Sequence, residues 1–270
     1  MKKMLLAFQF LTVVPVRVGG DIADRDVAGS AVFFPLVGAF QGLLTAAAAA
    51  LMLRVFPPDV AAGFSLVVLT LSNGGFDLDG LADTADALAI KPSGDEAADR
   101  AKRLTVMKDS AVGTMGVIAL TMTLLLKYLL IRLLLAEAPL QAACAILFLT
   151  PAVARWLTVP VMYHGTPARQ DGLGKIFIEH VGAGSVVVST GFVFLLYFSA
   201  HLMCAERISA AGVVARCVLS LAVLYSFGLA AVSFFRRRFG GLTGDHFGAL
   251  TEITEIFFLL AGYAWLPRSI

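Results

Sequence analysis

The sequence predicts an all-α fold: a polytopic transmembrane helical bundle of about seven spans, with its N-terminus in the cytoplasm. Three observations carry that prediction. Of 270 residues, 59% are hydrophobic and 15% charged, against roughly 45–50% and about 25% in average soluble proteins. The apolar residues gather into seven stretches near the length of about 20 residues that a helix needs to cross a bilayer. The basic residues between those stretches fall mainly on one side. This composition excludes a disordered chain, a coiled coil and an ordinary cytosolic domain. A net charge of +2 gives no bulk electrostatic case for nucleic-acid binding.

Taken in order, Met1-Lys2-Lys3 and the apolar run 4–14 imitate a signal peptide. Pro15 and Arg17 follow that run and no small-residue cleavage site appears, so the segment reads as retained and interfacial or re-entrant. The first span, 31–53, has no charge and contains Gly38 and Gly42, a GxxxG pair suited to close helix packing within the chain or between chains. The second, 60–76, is short and ends in Asn73-Gly74-Gly75. The third, 111–135, contains Lys127 and Arg132, and the fourth, 140–163, contains Arg155. The fifth and sixth, 185–203 and 217–235, are uncharged, and the seventh, 247–266, carries Glu252 and Glu255 near its start. Each should be a helix, because an isolated strand would leave its backbone unsatisfied in lipid. The whole of 1–270 then forms one integral membrane domain, with 77–110 as its acidic cytoplasmic loop.

With the N-terminus inside, the inner segments hold Lys2, Lys3, Arg17 and Arg25; Lys91, Arg100, Lys102, Arg103 and Lys108; Arg169 and Lys175; and Arg236, Arg237 and Arg238. The outer segments hold Arg54, Arg207, Arg216 and Arg268. Fourteen against four is a clear positive-inside bias. The outer connections are very short, as at Glu137-Ala138-Pro139, so the long polar loops share the cytoplasmic face. An enzyme acting on cytosolic substrates needs only that face, whereas a transporter needs both.

The most informative stretch is 73–88, NGGFDLDGLADTADAL. Asp77, Asp79, Asp83 and Asp86 occur there with no Lys or Arg among them. On a helix, Asp79, Asp83 and Asp86 share a face. Like charges so spaced repel unless a cation lies between them, and hard carboxylate ligands suit Mg²⁺, which usually bridges carboxylates to phosphates. The second cluster, MKDSAVGTMG at 107–116, combines Lys108, Asp109 and Ser110 at the opening of the third span. Ser110 suits an N-cap, and the helix N-terminus suits phosphate or metal binding. The third, GGLTGDHFG at 240–248, precedes Glu252 and Glu255, two intramembrane carboxylates at i and i+3 that are functional candidates by default. A weaker segment, RQDGLGK at 169–175, adds Arg169 and Lys175.

Lys127 and Arg155 read either as buried cations near a polyanionic ligand or as snorkelling side chains; for Arg132 snorkelling is preferred. Arg236–Arg238 read as a topology anchor. Of four histidines only His246 adjoins a motif, as a candidate general base. Cys144, Cys204 and Cys217 form no CxxC pair and read as small apolar residues. No P-loop, GxGxxG or HExxH motif occurs. Together the clusters suit Mg²⁺ and phosphates at a cytoplasmic membrane surface.

GGFDLDGLADTADAL, MKDSAVGTMG and GGLTGDHFGA-x2-E-x2-E, in this order, resemble three signature blocks of the cobalamin synthase family, the adenosylcobinamide-GDP ribazoletransferases. Weaker similarity covers FFPLVGAFQG, the Lys127 position, Arg155 and RQDGLGKIFI, so the resemblance runs over about 8–260. It implies a transfer of the cobinamide-phosphate moiety of adenosylcobinamide-GDP to a ribose hydroxyl of α-ribazole or its 5′-phosphate, with release of GMP. It implies Mg²⁺ as cofactor, held by Asp79, Asp83, Asp86, Glu252 and Glu255. Asp83, Asp109 and Asp245 are the implied catalytic carboxylates. Lys108, Ser110, Lys127, Arg155, Arg169 and Thr243 are the implied substrate contacts. The expected setting is the cell (inner) membrane with the site facing the cytoplasm. The partners are the two substrates and the lipid bilayer, without nucleic acid; a homo-oligomer or association with other corrinoid-pathway enzymes is compatible with this setting. The chain departs from the family pattern at Asp77, where the family has His, more often has Gly at Ala87, and the segment 90–103 is longer than expected. Asp77 reads as an added metal ligand or a tolerated change. The runner-up is a CDP-alcohol phosphotransferase, although Asp83 replaces that family's Arg and its second aspartate pair is absent. A secondary transporter or cation channel is the third reading.

Overall fold

The computed structural model describes residues 1–203 and 209–266; Cys204, Arg207 and Arg268 lie outside the described residues. Long apolar runs satisfy their backbone within helices, and the polar punctuation of the sequence sets where those helices stop. In chain order they are α1 (Lys2–Leu11), α2 (Asp24–Gly29), α3 (Phe34–Met52), α4 (Pro58–Ser72), α5 (Phe76–Leu88), α6 (Glu96–Val106), α7 (Thr114–Glu137), α8 (Leu140–His164), α9 (Leu173–His180), α10 (Ala183–Met203), α11 (Ala210–Phe239) and α12 (Gly244–Ala264). A 3₁₀ turn, Ser30–Phe33, joins α2 to α3. Among the described residues, six runs are long and apolar enough to cross a membrane: Asp24–Met52, α7, α8, α10, α11 and α12; the bent pair α4–α5 can make a seventh. The second expected span does not continue unbroken to 76. It is the 15-residue α4, after which the chain bends by 86° into α5. Gly74 and Gly75 take φ of 68° and 79° at the bend, a left-handed conformation that costs glycine nothing. The acidic stretch 77–110 contains most of α5 and all of α6, with a linker between them.

α8 is the axis of the bundle. It is buried along most of its length and packs against α3, α10, α11 and α12. The α3–α8 contact is the closest, because a Cβ on Gly38 would collide with the Pro151 carbonyl and one on Gly42 with that of Phe148. The GxxxG pair therefore serves packing within the chain. Pro151 and Pro160 lie inside α8, where proline removes backbone donors; Thr150 and Thr158 hydroxyls bond back to the carbonyls of Ile146 and Arg155.

α1 folds back under this core, burying Leu6, Ala7 and Leu11. The Gln41 amide donates to the Leu11 carbonyl (3.1 Å), and the Val13 N–H donates to the Ser72 carbonyl (3.0 Å). At the same end α6 docks on the last turn of α11. Arg100 and Arg103 donate to the carbonyls of Arg237 and Arg238, placing positive charge at a helix C-terminus. Asp95 caps α6 by accepting from the Ala97 and Ala98 N–H groups. The Ser93 hydroxyl and N–H hold the Asp99 carboxyl below the usual carboxylate range.

α7 and α12 are joined by a buried triad. Lys127 Nζ lies 2.6 Å from Glu252 and 2.5 Å from Glu255, all three side chains being 5% exposed or less. Lys127 does not snorkel. Removing one partner of a buried ion pair costs about 3–5 kcal/mol, because the other charges stay buried without it. Lys127→Met should therefore lower the thermal stability of the detergent-purified protein by an amount of that order. The triple variant Lys127→Met/Glu252→Gln/Glu255→Gln should recover most of the loss; equal melting of Lys127→Met and wild type would refute the role of the triad.

Candidate functional site

The bend at Asn73-Gly74-Gly75 aims α5 across the N-terminal half of α12. The two helices touch at backbone distance. A Cβ on Gly80 would meet the Asp245 carbonyl at 2.6 Å, and one on Gly248 would meet the Asp77 backbone at 3.0 Å. Glycine at both positions lets the α5 carboxylates approach the start of α12. Asp83 is half-buried, and the charges of Asp79, Asp245 and Asp86 all fall on it, opposed by that of Arg169.

Asp86 has a further role that spacing did not disclose. Its carboxylate accepts from the N–H groups of Gly113 (2.6 Å) and Gly116 (2.8 Å) at the start of α7. A carboxylate there satisfies orphan donors and complements the helix dipole. Gly113 and Gly116 leave room for it, since a Cβ on either would collide with Asp86. The expected cap, Ser110, does not fill that role. Gly113 is the N-cap residue and has no side chain, so the cap comes from α5. Ser110 is exposed. Asp109, also exposed, accepts from the N–H of Ala111 (3.1 Å) within its own loop.

Two loops close the other side. The RQDG loop and the GGLTG loop are tied by a parallel bridge between Pro167 and Leu242, with Ala168 N–H to Leu242 O at 2.9 Å and Leu242 N–H to Thr166 O at 2.8 Å. Arg169 then lies 3.6 Å from Asp245 and donates to the Leu104 carbonyl (3.3 Å), while its buried Nε has no hydrogen-bond partner. Lys108 faces Asp171 across the opening at 3.5 Å, both exposed. The Thr243 hydroxyl donates to Asp245 (3.2 Å), and Thr243 and His246 form a reciprocal capping box for α12. His246 is not placed as a general base: its Nδ1 accepts from the Thr243 N–H (3.0 Å), and its ring is fully buried against Phe235 and Phe239 at 4.0 and 4.5 Å.

Between these parts lies a cavity of about 240 Å³, lined by residues of α1, α5, α8, α9, α12 and both loops. At its floor Arg155 forms a bidentate pair with Asp77 (2.8 and 2.5 Å), and Asn73 donates to the same carboxylate (2.6 Å). Arg155 Nε also approaches Gln41 (3.4 Å). Arg155 is thus a buried cation, as one reading held, but its two terminal nitrogens are engaged by Asp77 rather than free for a ligand. Asp77, expected as a metal ligand or a tolerated change, is the counter-charge of Arg155. Lys127, Glu252 and Glu255 do not line the cavity; Lys127 Nζ donates to one oxygen of each glutamate.

Among the described residues, no three His, Cys, Asp or Glu side chains form a ready metal cage. Mg²⁺ does not require one, because it commonly takes one or two carboxylates and completes its shell with water and phosphate. The like-charged carboxylates of Asp79 and Asp83 fit that pattern. Asp86, held by two N–H groups, fits it less well, and Glu252 and Glu255, held by Lys127, do not fit.

A model of the cobalamin-5-phosphate synthase family matches residues 3–263. Curated relatives named adenosylcobinamide-GDP ribazoletransferase include one from Thermodesulfovibrio yellowstonii, 34% identical over 96% of this chain and 94% of its own length. Another, from Geotalea daltonii, is 36% identical over 94% of both chains, and one from Klebsiella pneumoniae is 34% identical over 96% and 98%. No solved structure matches the chain.

Replacing Asp86 by Ala strands two helix-start donors, and a buried donor left unsatisfied costs about 1–3 kcal/mol. In Asp86→Ala the amides of Gly113 and Gly116 should exchange with deuterium roughly tenfold faster or more, while α10 exchange is unchanged. Unchanged protection at both glycines would show that Asp86 does not anchor α7.

Proposed function

The chain belongs to the cobalamin-5-phosphate synthase family, and from that premise we propose how its residues carry out the transfer. The protein is a multi-pass membrane transferase of cobalamin synthesis. It moves the cobinamide-phosphate moiety of adenosylcobinamide-GDP to a ribose hydroxyl of α-ribazole or α-ribazole 5′-phosphate. The products are GMP and adenosylcobalamin or its 5′-phosphate. The ribose oxygen bonds to the phosphorus on the cobinamide side, the pyrophosphate bridge to that phosphorus breaks, and the bridging oxygen leaves with GMP. The hydroxyl proton must go to a base.

Such a reaction depends on positioning and on charge neutralisation rather than on covalent participation by the protein. The observation that carries the assignment is the meeting of Asp79, Asp83 and Asp245 with Arg169 beside a cavity. In this reading Asp79 and Asp83 hold Mg²⁺ against the pyrophosphate. Mg²⁺ bound there would supply charge neutralisation for the departing GMP. Arg169 adds a fixed positive charge at the cavity wall. Asp245, reached by Thr243 and Arg169 and bordering the cavity, receives the hydroxyl proton. Lys108 reaches Asp171 of the cavity lining, and Asp109, exposed in the loop before α7, is assigned no proton-transfer role in this reading.

The site faces the cytoplasm across the inner membrane in this proposal. Its support is the charge bias of the sequence together with the meeting of the inside-assigned segments. Arg100 and Arg103 reach the end of α11, Lys108 reaches Asp171, and the 166–168 segment pairs with Leu242.

Proteoliposomes containing the protein, supplied with adenosylcobinamide-GDP, α-ribazole and Mg²⁺, should release GMP and a cobalamin product. Chelation should abolish turnover and added Mg²⁺ restore it. Asp79→Asn and Asp83→Asn should each lose on the order of 100-fold in kcat or more while inserting normally. Full activity of both variants would refute the metal assignment, and absence of product from the wild type would refute the function.

A further inference from the structure

The cavity beside Asp245 has two unlike walls. One is aromatic: Phe10 of α1 lies with ring centroids 5.6 Å from Phe76 of α5 and 5.3 Å from Phe177 of α9. Phe177 is buried, whereas Phe76 remains 44% exposed. The other wall is polar and holds Arg169, Lys175, Thr243 and Asp245. A planar apolar ring set beside a hydroxyl-bearing or anionic group would satisfy both. The volume, about 240 Å³, falls just below the usual range for pockets that enclose drug-sized ligands. It suits a single nucleoside and is far too small for a corrin ring with its side arms.

The placement of the carboxylates gives the cavity a direction. Asp79 and Asp83 do not line it. Asp77 lines it but is neutralised by Arg155. Asp171 lines it and faces Lys108, whereas Asp245 lines it and interacts with Asp79 and Asp83. A molecule seated inside therefore meets the acidic α5 face through Asp245.

Resting on the transferase reading above, we propose that this cavity is the seat of the acceptor, a planar aromatic riboside. Its base lies against Phe10 and Phe76, its ribose faces Thr243 and Asp245, and Lys175 stands where a 5′-phosphate would be met. The corrinoid donor stays outside, presenting only its pyrophosphate to Asp79, Asp83 and Arg169. The two substrates thus meet at Asp245, the ribose oxygen attacking the phosphorus on the side away from the departing GMP oxygen, as an in-line displacement requires. Phe10 and Phe76 become specificity-determining residues for the acceptor alone.

Steady-state kinetics in proteoliposomes test this. Base–aromatic stacking is lost with alanine at a cost that corresponds to roughly a 10-fold change in affinity per ring. Phe76→Ala and Phe10→Ala should raise KM for α-ribazole by about that factor and leave KM for adenosylcobinamide-GDP unchanged. Lys175→Ala should raise KM for α-ribazole 5′-phosphate and not for α-ribazole. Equilibrium dialysis of labelled α-ribazole against the purified protein, without the donor, should show binding weakened in Phe76→Ala. A rise in the donor's KM instead, or unchanged acceptor KM in both phenylalanine variants, overturns the seat while leaving the transferase intact. If the wild type forms no product, the transferase reading fails, and dialysis still decides the seat: α-ribazole binding that is absent, or equal in Phe76→Ala, overturns it.

Discussion

A charge in the interior of an apolar bundle must find a counter-charge, and this requirement governs the arrangement of the whole protein. Arg155 sits on the most buried helix, between two prolines, and Lys127 sits within another span. Their partners are not local. Arg155 takes Asp77 from α5, and Lys127 takes Glu252 and Glu255 from α12. These pairs fix α5 against α8 and α7 against α12 at defined heights. α5 is consequently held across α12 at the level where its remaining carboxylates, Asp79 and Asp83, meet Asp245. The interactions that place the site are distinct from those assigned to perform chemistry in it.

That division of labour accounts for the unequal fates of nine acidic residues that look alike in sequence. Asp77, Asp86, Glu252 and Glu255 are each satisfied by the protein itself, through an arginine, two backbone donors or a lysine. Asp99 is satisfied by Ser93 and Asp109 by its own loop. Asp79, Asp83 and Asp245 are left with one another, with Arg169 and, for Asp245, with the Thr243 hydroxyl. A cluster of like charges with a single weakly opposed cation is an electrostatic deficit, and a metal bridging to phosphate would fill it.

Much of this was legible in the sequence for physical reasons. Lipid demands long apolar helices, so the spans could be counted. The one that failed to run its full length, 60–76, ends in two glycines that turn the chain. The acidic, MKDS and GGLTG blocks were visible because carboxylates and glycines have few structural uses in so apolar a chain. Their partners were not visible. Asp77 and Arg155 are 78 positions apart, and no local period links them. Asp86 lies on the same face as Asp79 and Asp83, so spacing alone could not separate a helix anchor from a ligand. Intramembrane glutamates invite a functional reading, and only their position opposite Lys127 shows them to be a clamp. The aromatic wall was hidden for the opposite reason. Phe10, Phe76 and Phe177 come from three helices and, taken singly, resemble ordinary core residues in a chain with 20 phenylalanines.

The position of α12 well after α5 and α7 in the chain has a consequence for biogenesis. Asp77, Asp79 and Asp83 leave the ribosome first and Lys127 next, well before Asp245, Glu252 and Glu255. Until α12 inserts, Lys127 has no glutamate and the acidic face of α5 has no opposite wall. A nascent or prematurely ended chain therefore holds an uncompensated ammonium within an apolar segment, a state that membrane quality control can distinguish from the finished protein. Insertion of α12 both builds the site and removes that mark of immaturity.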